Sequence, residues 1–198
     1  MWQLAEKYSW ADKDPDFVCT IAVVTDTSAS DLVRAYGGDP DEAAHLVFTD
    51  AWPSQSDFGT HFYVQVFTEG AFTVAVEPNG WTGDVPEIAR RASAHGHFVS
   101  TYWSMSGVSR MTEAMAGKVT AHFDPFAVGY SGGMGDLQPD WIEDASFDLD
   151  RPNASCLAAV ELRTGLEIKA EWFGRELPTY RVPDPDVMLN GVENAREP

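Results

Sequence analysis

The sequence predicts an α+β fold: an antiparallel β-sheet meander of five to six strands with short helices packed on one face. Three observations predict it. Apolar, β-branched and aromatic residues come in short runs of strand length. From residue 62 onward consecutive runs are joined by very short links, including Glu69-Gly70, Ser106-Gly107 and Ala116-Gly117, and such links force antiparallel neighbours. The helical segments do not alternate regularly with the strands, which argues against a doubly wound parallel sheet. At 198 residues the chain has the length of one domain, expected over 1–183, with 184–198 as a loose polar tail.

Phe17 to Thr25 (FVCTIAVVT) is apolar and β-branched throughout and reads as a buried strand. Ser28 and Asp31 form a capping-box pattern before a short helix that carries Leu32, Val33 and Tyr36, stopped by Gly37-Gly38. Asp39-Pro40-Asp41-Glu42 places Pro at a first helical position and acids at the positive end of a dipole, so a second helix is expected through Leu46 and Val47. Residues 51–60 (AWPSQSDFGT) read as a loop. Phe62 to Phe67 and Phe72 to Val76 read as a hairpin turning at Glu69-Gly70. After the turn cluster 77–83, Asp84 to Glu87 reads as a capping box for a helix that ends by Gly96. His97 to Ser104, Val108 to Met115 and Lys118 to Phe123 read as three further strands. Residues 124–152 have little periodicity, and nearly 30 irregular residues suggest a functional loop. Asn153 or Ser155 then caps a helix closed by Gly165, a short helix carries Trp172 and Phe173, and Pro178 to Pro183 is extended.

The chain carries 31 acids against 13 lysines and arginines, a formal charge of −18. That balance excludes nucleic acid and anionic membrane as expected partners, since phosphate binding needs a basic footprint. Hydrophobic residues make up 44% of the chain and aromatics 12%, too many for a mainly disordered polymer. The N-terminus lacks the basic and apolar regions of a signal peptide, and no apolar run approaches the roughly 20 residues needed to span a bilayer. A cytoplasmic protein is therefore expected, with Cys19 and Cys156 as two free core thiols and Asn153-Ala154-Ser155 idle as a glycosylation pattern.

Several segments share a family likeness. They are Cys19-Thr20 followed by the Leu-Val-Arg helix and Gly-Gly-Asp-Pro; Val76-Glu77-Pro78-Asn79-Gly80-Trp81-Thr82-Gly83, the most specific; Phe98-Val99-Ser100-Thr101-Tyr102-Trp103; Gly117 to Phe123-Asp124-Pro125; and Thr164-Gly165 with Glu171-Trp172. In this order they resemble an actinobacterial family of uncharacterised proteins, domain of unknown function sixty-four sixty-one. The resemblance spans most of the chain and implies a bacterial cytosolic protein of one α+β domain. It brings no activity, cofactor or catalytic residue. His95-Gly96-His97 stands where a Gly-rich turn is expected from that family, so it supports no family-wide metal site.

Each catalytic pattern in the chain fails a test of context. Gly129-Tyr130-Ser131-Gly132-Gly133 matches a nucleophile elbow, but none of the five histidines follows Ser131, and Gly133, Gly135 and Pro139 oppose the helix the motif needs. His95 and His97 sit two apart, yet a catalytic zinc needs a third protein ligand. In a meander His122 would lie about 20 Å along and about 10 Å across from His97, leaving only Asp84 or Glu87 as partners. The acids Asp136, Asp140, Glu143, Asp144, Asp148 and Asp150 do not make a calcium loop. Counting from Asp148, the fifth, sixth and twelfth positions hold Pro152, Asn153 and Ala159. No catalytic residue, metal or cofactor is expected.

What remains is a surface. Trp103 and Trp172 are expected in the core, whereas Trp52 and Trp81 lie in turn-rich loops, and Asn79-Gly80 presents Trp81. Loop tryptophans either pack back or anchor a partner. The leading expectation is a non-enzymatic acidic binding protein, an immunity or inhibitor protein steered to a basic partner, with Trp52, Asn79 and Trp81 as contact candidates. The alternative is an enzyme or small-molecule binder with a pocket near the Glu77–Trp81 turn, using Glu77, whose carboxyl beside an apolar strand would hold its proton to raised pH, together with His97 and Tyr102. A third reading is an assembly protein with a self-complementary apolar face.

Overall fold

A computed structural model describes residues 1–127, 137–144 and 146–198 of the chain. In order, its elements are α1 (Trp2–Lys7), β1 (Cys19–Thr25), α2 (Ala29–Ala35), β2 (Ala44–Leu46), β3 (His61–Glu69), β4 (Phe72–Pro78), α3 (Pro86–Ala92), β5 (His97–Trp103), β6 (Ser109–Met115), β7 (Lys118–Phe123), α4 (Pro152–Thr164), β8 (Leu177–Pro183) and α5 (Pro185–Met188). Among the described residues all eight strands form one antiparallel sheet in the order β2-β8-β3-β4-β1-β5-β6-β7.

The α+β class and the antiparallel sheet stand, and three finer expectations are corrected. The sheet has eight strands rather than five or six, and it is only partly a meander. The β3–β4 hairpin and the run β5-β6-β7 follow chain order, but β1 lies between β4 and β5, and β8 between β2 and β3. Helices also cover both faces rather than one. Along β1, Cys19, Ile21 and Val23 point into a core shared with α4 (Leu157, Val160), while Ala22 and Val24 point into a second core shared with α2 (Leu32, Val33) and α3 (Ile88, Ala89). Successive strand residues face opposite ways, so a run apolar at every position needs cover on both sides. The unbroken CTIAVVT run thus accounts for both the central place of β1 and the second helical layer.

Two local readings also change. Asp39 to Glu42 starts no helix. It is a turn in which the Asp39 carboxylate accepts from Asp41 N (3.0 Å), and the chain leaves it as the short edge strand β2. Asp-Pro serves a turn as well as a helix start, and pairing with Leu177–Thr179 of β8 decides the outcome. Residues 184–198, expected to be loose, dock on the α3 side. Leu189 and Ala195 are buried there, and Arg90 donates to the carbonyls of Asn194 (2.8 Å) and Glu197 (2.9 Å).

Cys19 and Cys156 are buried free thiols. α4 takes its N-terminal cap from outside its own sequence. The carboxylate of Asp12, in the turn Ser9–Asp12, accepts from the backbone N–H groups of Asn153 (2.9 Å) and Ala154 (3.1 Å). Gly165, with φ 79°, closes the other end. Asp12→Ala is expected to cost about 1–2 kcal/mol, the usual worth of an N-cap, read as a lower urea midpoint with unchanged slope.

Candidate functional site

The Glu77–Asp84 segment forms a lid over one end of the sheet, on the α3 side. Four neighbouring strands each supply one polar side chain to hold its backbone. From β4, the Glu77 carboxylate accepts from Thr82 N (2.9 Å) and Gly83 N (2.7 Å). From β1, Thr20 donates to Gly80 O (2.7 Å); from β5, Ser100 donates to Gly83 O (2.7 Å); from β6, Thr112 donates to Asp84 O (3.3 Å). These residues share a face because Glu77 pairs with Thr20, and Ser100 with Thr112, across the ladders. Asn79 takes a positive φ of 47° at the bend. Gly80 and Gly83 are required by proximity. A Cβ on Gly80 would lie 2.9 Å from the Glu77 carboxylate, and one on Gly83 would overlap the Tyr36 hydroxyl.

The lid's last residue, Asp84, does not cap α3, whose N-cap Val85 makes no side-chain capping bond. Its carboxylate instead faces an open cleft of about 260 Å³, lined by Trp81, Asp84, Val85, Pro86, Arg110, His122 and Arg196. Arg110 pairs with Asp84 at 3.4 Å. Arg110 lies 3.5 Å from His122 Nε2, His122 Nδ1 lies 2.9 Å from the Thr112 hydroxyl, and that hydroxyl lies 3.3 Å from Asp84 Oδ1. A guanidinium can only donate, which assigns Nε2 as acceptor and Nδ1 as donor, with the single Thr112 hydroxyl proton shared between the Asp84 carbonyl and Oδ1. Burial, reinforced by Arg110, pushes the His122 pKa down to about 4, so the ring is neutral at pH 7. Burial pushes the Asp84 carboxyl up to about 7, against the pull of Arg110.

The residues singled out by sequence separate in space. Glu77 is fully buried, and both its oxygens are occupied by the lid, so it holds the loop. Tyr102 pairs with Thr20 and Arg110 on the same face as the cleft and is half-buried. His97 lies on the opposite face, where its Nε2 meets Glu113 at 2.7 Å. His97 and His122 are thus divided by the sheet itself. Trp81 packs partly buried against the α3 core, with the Arg196 guanidinium 4.7 Å from its ring centroid. Trp52 packs against the other core. Among the described residues, no group of three or more His, Cys, Asp and Glu side chains is placed to hold a metal ion. The Gly129–Gly133 pentapeptide with Ser131, and Asp136, lie outside the described residues. Sequence reasoning missed Arg110, Thr112 and Arg196. Arg110 and Thr112 carry a signal, an alternation on β6 that leaves polar side chains on an otherwise buried face; Arg196 carries none.

On the α4 side, Glu113 has the opposite electrostatics. Burial alone would raise its pKa, but donors from His97, Arg163 (2.8 Å) and Trp141 (2.8 Å) hold it down to about 2. A depressed carboxyl stabilises the fold above its unfolded value of 4.5, and that contribution is lost as pH falls through about 2. Glu113→Gln is expected to cost about 3 kcal/mol at neutral pH, with the gap to the parent shrinking below about pH 4.5. Glu77 runs the other way. Burial raises its carboxyl from 4.5 to about 7, so its effect favours the folded state below 4.5 and is lost as pH rises through about 7. Thermal melts of the parent should therefore show a higher Tm near pH 5 than near pH 7, and Glu77→Gln should reduce that difference.

No curated protein and no solved structure matches the chain. A family model does match, over residues 1–173, and it covers the lid, the sheet from β1 to β7 and α4. By that match the chain belongs to the family of unknown function DUF6461.

Proposed function

We propose that the protein is a non-enzymatic acidic binding protein of the cytosol, of the immunity or inhibitor kind, that meets a basic protein partner. One observation carries this reading. Nine of the 13 basic residues, from Lys7 to Arg196, are engaged in ion pairs among the described residues. Many of the remaining acids among the described residues face solvent, Glu77 and Asp184 being buried. Exposed Asp39, Asp41, Glu42 and Asp50 flank the edge strand β2, and Glu176 precedes β8 beside it, with Arg175 exposed next to them. An edge on which acids outnumber cations steers a basic protein and speeds encounter by about 10- to 1,000-fold at low salt. The charge sits where a short edge strand also discourages self-pairing.

A second reading, a small-molecule binder, draws support from the cleft at Trp81, where Asp84, Arg110 and His122 converge. Of the residues named for it from sequence, Tyr102 borders that region, whereas Glu77 is sealed and His97 lies across the sheet.

Affinity capture from native lysate at low and high salt tests the first reading, with an Asp39→Lys/Asp41→Lys/Glu42→Lys variant alongside. A basic protein should be retained by the parent at low salt, released at high salt, and associate at least about tenfold more slowly with the variant. Retention that survives both high salt and the triple charge swap would refute it, as would no retention at low salt.

A further inference from the structure

The cleft under the lid already holds a cation, and that cation comes from the chain's own C-terminus. Residues 194–197 run along α3. Glu87 N donates to Ala195 O (3.0 Å), Arg90 holds the carbonyls on either side, and Ala195 is buried. This places the Arg196 guanidinium over the Trp81 ring at 4.7 Å, where it also pairs with Asp186. Its charge is close enough to Asp84 to favour the ionised carboxylate. Yet the Arg196 side chain is 54% exposed, and about 260 Å³ of cleft stays open beside it.

We propose that the Trp81–Asp84 cleft is a guanidinium-recognition site, filled in cis by Arg196, into which the basic partner inserts an arginine in its place. The inference rests on the basic-partner reading above and gives that partner a second contact, on the β6–β7 side of the sheet away from the acidic β2 edge. Trp81 is suited to the task because the lid that carries it is fixed from below by Glu77, Thr20 and Ser100. A pre-positioned indole face offers a planar cation both stacking and quadrupole attraction without an ordering cost on binding. Asp84 is held in turn by Arg110 and Thr112, so its position does not depend on the incoming group. Arginine is favoured over lysine because its flat guanidinium can stack on the ring and still present edge donors to a carboxylate. The tail acts as a tethered competitor at high effective concentration, which lowers the apparent affinity for any arginine in trans.

The probe is N-acetyl-arginine amide, titrated into the full chain by NMR of the tryptophan indole N–H signals, with N-acetyl-lysine amide as comparison. Arg196→Ala should bind the arginine probe about tenfold more tightly than the parent, since it removes the tethered competitor. Trp81→Leu and Asp84→Asn should each weaken binding to Arg196→Ala, and the lysine probe should bind more weakly than the arginine probe. Urea unfolding of each variant shows that it is folded. Equal affinity of Arg196→Ala and the parent, or equal binding of arginine and lysine, overturns the proposal. The two readings fail separately. A basic protein captured at low salt whose retention is unchanged in Trp81→Leu and Asp84→Asn refutes the cleft and leaves the partner. Probe binding as described, with no basic protein captured, refutes the partner and leaves a guanidinium site.

Discussion

The fully buried carboxylate of Glu77 constrains this molecule more than any other single group. It sits on β4 beneath a loop of its own chain, and its two oxygens accept from the N–H groups of Thr82 and Gly83. Leaving those donors unmet, or that carboxylate unpaired, would be costly in a site closed to water. These bonds hold the loop against the sheet, and Gly80 and Gly83 are what let it come so close. Everything at the cleft inherits this. Trp81 is presented at a set angle, Asp84 is turned toward Arg110 and away from the start of α3, and the C-terminal segment finds a flat aromatic surface on which to lay Arg196.

The charges follow a consistent division between inside and outside. On the α4 face, Glu113 draws in Arg163, His97 and Trp141, which pins the described part of the segment after β7 and the end of α4 to the sheet. On the α3 face, Asp84 draws in Arg110, and Glu87 draws in Arg90 and Arg91. Several of the chain's few cations are thereby committed to joining elements, Arg110 to the lid, Arg163 to the sheet and Arg90 to the C-terminal segment. The exposed acids near β2 have no such task, and their combined field reaches about 8–10 Å at ordinary ionic strength. The two faces of the sheet also keep their histidines apart. His97 and His122 stand on strands two apart but on opposite sides, because the bulge at Glu113/Ala114 resets the alternation of β7 and leaves His122 facing Thr112.

The sequence carried different parts of this to different depths. The hairpin, the β5-β6-β7 run, α2, the end of α4 at Gly165 and the extended segment Pro178 to Pro183 follow from turn residues and periodicity, which are local. The turn at Asn79-Gly80 and its exposed-or-packed tryptophan could be named from sequence, but the role of Glu77 could not. A lone acid beside an apolar strand reads equally as a reactive group or a loop anchor until the N–H donors above it are known. Asp84 was misleading for a related reason. Its spacing to Glu87 matches a cap, yet a cation on β6 competes for the same carboxylate and is invisible to any short-range pattern.

By itself, the amino-acid order determined the class of fold, the strand and helix segments that local turns delimit, the buried thiols and the strongly acidic balance. Tertiary structure alone decided that β1 lies in the middle, that helices cover both faces, that β8 and the C-terminal segment return to the sheet, and that Arg196 rests on Trp81. The reason is physical. Side-chain periodicity records whether a position is covered, but not by what, and the choice of cover is made between segments far apart in the chain whose combined burial is a property of the whole.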